Sequence, residues 1–522
     1  MDGYPYLDQV KSLTPRFPAL RQFFSDWKQF DAANLLHTSF QPRQPLGRVG
    51  VLEFMKGKIP IFKDLSDLTE LRDYPTAVSP QAVCQHRLFL LEDLDPEYLE
   101  LLGAALLIDP IVLANHLDTY HFTDNDTIPH HTLPSSADPA RSFTLRYYEL
   151  REALAEQRRT GRHDDRRSFA RVSRQIESWT DIPRSRIDLI RRNVSFWCHE
   201  WSRGWNGQSN PLPLVSVADL THAVAILFVD PPVASQSMGG DVYQVIQRTS
   251  GSKTWTRQIQ PSRPYHGGYA DIRSWKLDQT CAAPSRRSLF DDIIFYWQRA
   301  GRREIEAALA NCVDTTVFVT KIVASQWFTL LDLQLNTLSV MELGSRKQAH
   351  HSMGRFEGSE EWRLELIDLS HKKAQLNILR ARLMWYEEEM LLNLERLGIT
   401  PDGTMGLTVS SASLNAAKRD FYTIFIQLQL QKSRADNLTG IVTDIINLRA
   451  AIRGLHDGHF GLQLSIAGAI FFPLTLVAAI FSMGGDYSPG AKDFWVPWTV
   501  AVPLAIMLIF LVWRTWRLGS FS

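Results

Sequence analysis

The chain has 522 residues, 45% hydrophobic and 11% aromatic, which gives room for two or three domains. Its 56 basic and 56 acidic side chains cancel, which excludes a global field that would favour nucleic acid. The cysteines Cys84, Cys198, Cys281 and Cys312 stand far apart, which argues against a disulfide framework and against metal-ligand spacing, and fits a reducing compartment.

The opening residues, Met1 to Val10, have an early acid and no apolar core, so a secretory signal is not expected and the N-terminal part is expected in the cytosol. Residues 1–80 are expected to be irregular, with a short strand at Val49 to Phe54 and a short helix at Leu65 to Leu71. Residues 81–290 are expected to form a cytosolic α/β domain. Arg87 to Leu91 is a short apolar strand. Asp95-Pro96-Glu97 has the form of a helix start, with an N-cap acid, proline at the first position and an acid in the first turn; that helix is expected to run to Leu106. Asp109-Pro110 opens another helix through His116. Arg141 to Leu150, Ser195 to Trp201 and Ala223 to Val229 have the β-branched and aromatic content of strands. The charged run Arg158 to Arg167 is expected to be a solvated loop. Residues 233–285 carry Gly, Ser and Pro without a clear period and are expected to be an irregular insertion.

After Ser288 the pattern turns helical. Residues 291–460 are expected to form a stalk of long helices, at Glu304 to Leu343, Glu360 to Leu397 and Ser413 to Leu455. In the last of these, apolar or small residues recur every seven: Leu414, Phe421, Leu428, Ala435, Val442. A second series runs Ala417, Ile424, Gln431, Leu438, Ile445, Ile452, a coiled-coil seam broken once, at Gln431. No proline interrupts this helix before Pro473, so it is expected to continue into the apolar segment that follows.

That segment belongs to a transmembrane hairpin expected at 461–517. From Leu462 to Met483 and from Phe494 to Trp513 there is no charge. Each run is about 20 residues, enough at 1.5 Å per residue to cross a hydrocarbon core of about 30 Å. Arg449 and Arg453 precede the first run and Arg514 and Arg517 follow the second, so both termini are expected on the cytosolic side of a multi-pass membrane protein, in the plasma membrane or an internal one. Trp495, Trp498, Trp513 and Trp516 suit the two interfaces. The sequons at Asn125, Asn193 and Asn437 would then face the cytosol.

The order of a cytosolic α/β domain, long helices, a stalk continuous with a first span and a second span near the C-terminus resembles the CorA-like divalent metal ion transporters, within them the fungal branch. Phe472-Pro473-Leu474-Thr475-Leu476-Val477-Ala478-Ala479-Ile480-Phe481-Ser482-Met483 is similar to the end of that family's first span, and Leu102-Gly103 through Ile108-Asp109-Pro110 to its cytosolic domain. The family's Gly-Met-Asn motif is degenerate here: Ser482, Met483 and Gly484 occupy its place. The resemblance implies a homo-pentamer in the lipid bilayer, with first spans lining a pore for a divalent cation, magnesium foremost. The pore-lining candidates are Leu464, Phe472, Thr475, Ala479, Ser482, Met483 and Gly484, with Gly468 on the same stripe. Asp486 and Asp493, in the outer loop, are candidates for attracting cations.

No cofactor is expected beyond the cation itself. His456 and His459, at i and i+3, lack a third metal ligand, and His130-His131 and His350-His351 have the wrong spacing for one helix face. Met238-Gly239-Gly240-Asp241 is not followed by the lysine of a phosphate loop, and the common hydrolase and kinase motifs are missing, so an enzyme is not expected. Two functions stay open: a divalent cation transporter, and a non-conducting membrane scaffold or regulatory protein that has lost the filter.

Overall fold

A computed structural model describes residues 5–17, 20, 23–24, 47–74, 84–118, 138–152, 174, 176–178, 187–200, 223–231, 244–250, 253–259, 269, 288–352, 359–405, 410–482, 490 and 492–519. The chain divides into two compact units, Met1–Leu343 with Asn377–Asp436, and Gly344–Leu376 with Asn437–Ser522. The architecture is an α+β region followed by long helices, with a long apolar helix near the C-terminus.

In the first unit, α1 (Pro5–Ser12) precedes β1 (Arg48–Met55), β2 (Ile61–Asp64), α2 (Leu68–Asp73) and β3 (Cys84–Glu92). Next come α3 (Pro96–Leu106), α4 (Pro110–Leu117), β4 (Ser142–Glu152), β5 (Ile176–Ser178), β6 (Ile187–Glu200) and β7 (Ala223–Val229). The seven strands form one mixed sheet in the order β2-β1-β3-β7-β6-β4, with β5 on β6. Only β3 and β7, at its centre, are parallel to each other. Every residue of β7, Ala-Val-Ala-Ile-Leu-Phe-Val, is buried, as a central strand covered on both faces requires. One edge of β6 is shared: β7 pairs from Val194 to Glu200 and β5 from Asp188 to Ile190.

The helix starts at Asp95 and Asp109 are as expected. Asp95 Oδ1 accepts from the Glu97 amide at 3.1 Å and Asp109 Oδ1 from the Ile111 amide at 2.9 Å, with Pro96 and Pro110 just behind. The αL conformation of Leu107 ends α3. The core on this face of the sheet joins Val49, Val51, Phe89, Leu91, Ile226 and Phe228 to Leu99, Leu102, Val112 and Leu113, and to Tyr6, Leu7 and Val10 of α1. Each such large side chain removed from water contributes about 1.5–3 kcal/mol. The carboxylate of Glu100 caps α1 by accepting from the amides of Tyr6 (3.1 Å) and Leu7 (2.9 Å). On the opposite face, α5 (Leu289–Trp297), α6 (Arg302–Ala310) and a 3-10 turn (Cys312–Thr316) lead into α7 (Val317–Ser352). There Phe54 meets Trp297 edge-on at 4.8 Å and Phe62 meets Phe290 at 6.1 Å.

The outer edge of β4 is closed by side chains from α7 and α8 (Ser359–Arg396). Asn393 accepts from the Arg146 amide at 2.9 Å and donates to the Arg146 carbonyl at 2.8 Å, as a neighbouring strand would. Trp327 Nε1 donates to the same carbonyl at 3.0 Å, and Arg396 to the carbonyl of Thr144 at 3.0 Å. An edge strand is thereby denied to other chains.

The long helix α9 (Ala412–Phe481) has 70 residues. Its seven-residue series is buried: Leu414, Phe421, Leu428 and Ala435, with Ala417, Ile424 and Gln431. In the first unit its partners belong to the same chain. Gln431 Nε2 donates to the Leu331 carbonyl at 3.1 Å, Lys432 pairs with Glu387 at 2.6 Å, and Arg434 with Glu342 at 2.5 Å. The second unit holds a separate set of contacts: Arg449 pairs with Glu365 at 2.6 Å, and Arg453 lies over the ring of Trp362. The chain ends with α10 (Val496–Gly519).

Four expectations need correction. Residues 1–80 hold α1 and β2 besides the expected strand, β1, and the expected short helix, α2, which starts later than expected because Asp67 caps it. Residues 233–285 contain an antiparallel hairpin, β8 (Gln244–Ser250) and β9 (Lys253–Ile259), whose Val, Ile and Thr content flanks Gly251-Ser252, a two-residue turn signal. The strand expected from Ser195 begins at Ile187, since its arginines and Asp188 are buried rather than solvated. The helix expected from Glu304 to Leu343 is interrupted at Asn311, whose side chain accepts from the Val313 amide and starts the 3-10 turn.

Candidate functional site

The apolar end of α9 is the first candidate. Its most apolar eighteen-residue window has a mean hydropathy of 1.9, and none of it is buried within the chain. Among the described residues this is the one helix long and apolar enough to cross a membrane; the apolar stretch Trp498–Phe510 in α10 is shorter. Leu464 is 66% exposed and Phe472 73% exposed. These two share one side of the helix with Gly468, Thr475 and Ala479, as steps of three and four residues require. Thr475 and Ala479 are exposed as well. The Thr475 hydroxyl is engaged with its own helix, donating to the carbonyls of Phe471 (3.0 Å) and Phe472 (2.8 Å). Ser482 follows the helix end, its amide bonded to the Ala478 carbonyl at 2.9 Å. Asp493 is exposed and its carbonyl accepts from the Val496 amide at the start of α10. Met483, Gly484 and Asp486 lie outside the described residues.

The second candidate was not anticipated from sequence. It is a buried charge network around the carboxyl end of β7, where ligands of open sheets often bind. Arg174 grips Asp230 with two bonds, of 2.7 and 2.8 Å, and donates to the His116 carbonyl at 2.7 Å. Asp230 also accepts from the Asn193 amide at 2.8 Å. His116 Nε2 lies 3.2 Å from Asp230, and its Nδ1 is 3.0 Å from the hydroxyl of Ser195, which itself meets Thr144 at 2.8 Å. Beside them Glu149 binds Arg192 at 2.9 Å and also pairs with Arg151.

Burial pushes the His116 imidazole below its ordinary value, so it is neutral at pH 7. Burial alone would raise the Asp230 carboxyl, but Arg174 and then His116 hold it far below the usual range. Glu149, likewise opposed by burial, is pulled down to about 2 by Arg151 and Arg192.

The serine, histidine and aspartate have the connectivity of a nucleophilic triad. Three facts assign them to packing instead. Ser195 and His116 are fully buried, Asp230 is occupied by Arg174, and the Ser195 hydroxyl is engaged by Thr144 as well as His116. The adjoining cleft, lined among others by Tyr147, Arg192, Asp230, Asp292 and Gln326, has a volume of about 20 Å³, room for one or two waters. No group of three metal-ligating His, Cys, Asp or Glu side chains occurs among the described residues. The sequence signal for this network was weak: isolated Arg, Asn and Ser in strands, and Asp230 closing an apolar run.

No family model matches the chain, and no curated protein matches it.

Proposed function

We propose that the chain is a membrane protein of CorA-like architecture that conducts a divalent cation, magnesium foremost. In this reading the apolar end of α9 and α10 cross the bilayer as a hairpin with both chain ends in the cytosol. Copies assemble into a homo-pentamer, and the first spans line the path. The observation that carries the reading is the apolar end of α9, the last part of a 70-residue helix, with none of its most apolar window buried within the chain. Such a surface is stable only against lipid or further copies. The divalent cation comes from the family resemblance around Pro473, Thr475 and Met483.

A second reading is a scaffold of the same architecture that does not conduct. The Thr475 hydroxyl is already used by its own helix, and Gly484 has no side chain to hold a hydrated cation. Uptake of Mg2+, Zn2+, Co2+ and Ni2+ into liposomes holding only the purified oligomer separates the two. Uptake of any of these supports transport. Its absence for all of them, in an oligomer of verified size, overturns it in favour of the scaffold.

A further inference from the structure

The start of the 70-residue helix is held by one carboxylate from elsewhere in the fold. Ser411 precedes α9, and Asp314, in the 3-10 turn before α7, accepts from the Ser411 amide at 3.0 Å and from its hydroxyl at 2.6 Å. The same hydroxyl accepts from the Leu414 amide at 3.2 Å, so Asp314, Ser411 and the first helical turn form one chain of bonds. The turn that presents Asp314 is itself fixed. The Asp314 amide donates to the Asn311 carbonyl at 3.1 Å, and the hydroxyls of Thr315 and Thr316 donate to the carbonyls of Cys312 and Val313, both at 2.7 Å. Nearly two turns into α9, the buried Lys418 interacts electrostatically with Asp314. A single rigid turn thus starts α7 and fastens the start of α9.

We infer that Asp314 and Ser411 form a catch that holds the N-terminal turns of the long helix to the α/β sheet unit, and that opening it releases those turns without unfolding the sheet. Asp314 is a positioning residue. The inference stands on contacts within the first unit and does not depend on transport.

The test is amide hydrogen exchange on the full-length protein in detergent micelles. In Asp314→Ala, exchange at 413–418 rises about tenfold, the size of losing the two bonds that Ser411 donates to the carboxylate. Exchange in β3 (88–91) and in the middle of α9 (424–435) stays as in the parent. Ser411→Ala, which loses the hydroxyl's bonds to Asp314 and to the Leu414 amide but keeps the Ser411 amide on Asp314, shows a rise in the same window, and Ser411→Thr behaves as the parent. Unchanged exchange at 413–418 in Asp314→Ala overturns the inference. So does a rise spread equally over β3 and α9, which marks a general loss of stability. If Asp314→Ala does not accumulate, the Ser411 pair decides: equal exchange in Ser411→Ala and Ser411→Thr overturns the inference.

Discussion

Replacing Asn393 by alanine opens the seal on the sheet edge. Asn393 is fully buried and makes two bonds to the backbone of Arg146, at 2.9 and 2.8 Å. After truncation the Arg146 amide has lost its acceptor in a place water does not reach, at a cost of about 1–3 kcal/mol. The Arg146 carbonyl keeps Trp327 Nε1 at 3.0 Å, so its loss is the smaller one, about 1 kcal/mol. The expected total is about 2–4 kcal/mol, or roughly a 30- to 700-fold fall in exchange protection where opening is global. Hydrogen exchange at the Arg146 amide in the full-length protein reads this directly, and the thermal midpoint falls in parallel. Protection within threefold of the parent would falsify the claim that Asn393 acts as a surrogate strand.

Acid should weaken the first unit in two stages. His116 is held below its ordinary value, so its contribution is complete above about pH 6.5 and is lost as pH falls below that; thermal melts of His116→Gln should lose this part of the pH dependence. Glu149, at about 2, and Asp230, lower still, contribute above about pH 4.5 and lose that contribution as pH falls toward 2. Gln334 is fully buried and neither amide atom has a hydrogen-bond partner among the described residues, so Gln334→Met should stabilise by about 1–2 kcal/mol; a lower melting midpoint would show a bridging water or another partner there. In Gly103→Ala a new Cβ would sit 2.1 Å from the Tyr6 ring, which should cost about 1–3 kcal/mol and make α1 sensitive to protease; a resistant N-terminus would show that Tyr6 yields easily.

The elements that sequence reveals well are those with a local cause. Asp95-Pro96 and Asp109-Pro110 start helices through their own side chains, and the apolar run of β7 has one stable place, the centre of a sheet. The period in α9 identifies a buried stripe, but the same stripe serves a partner in another chain or in the same one. Gln431 bonded to Leu331, and Lys432 to Glu387, shows that here it is the same chain. The early part of β6 was hidden because Arg191 and Arg192 read as surface residues until Glu389, Glu149 and the Pro231 carbonyl come to meet them from distant positions. The network around Asp230 is hidden for the same reason, since Arg174 lies far from it in sequence and meets it only after folding. The C-terminal apolar runs were legible from length and lack of charge, whereas the engagement of Thr475 by its own backbone was not.

Conduction by the proposed assembly of apolar helices is the central expectation. Metal uptake by liposomes containing only this chain, at verified oligomer size and with empty liposomes alongside, tests it most directly. Saturable entry of Mg2+ is expected, altered by a bulky substitution such as Ala479→Trp on the stripe shared by Leu464, Phe472 and Thr475. Liposomes that take up none of Mg2+, Zn2+, Co2+ or Ni2+ above the empty control would contradict it.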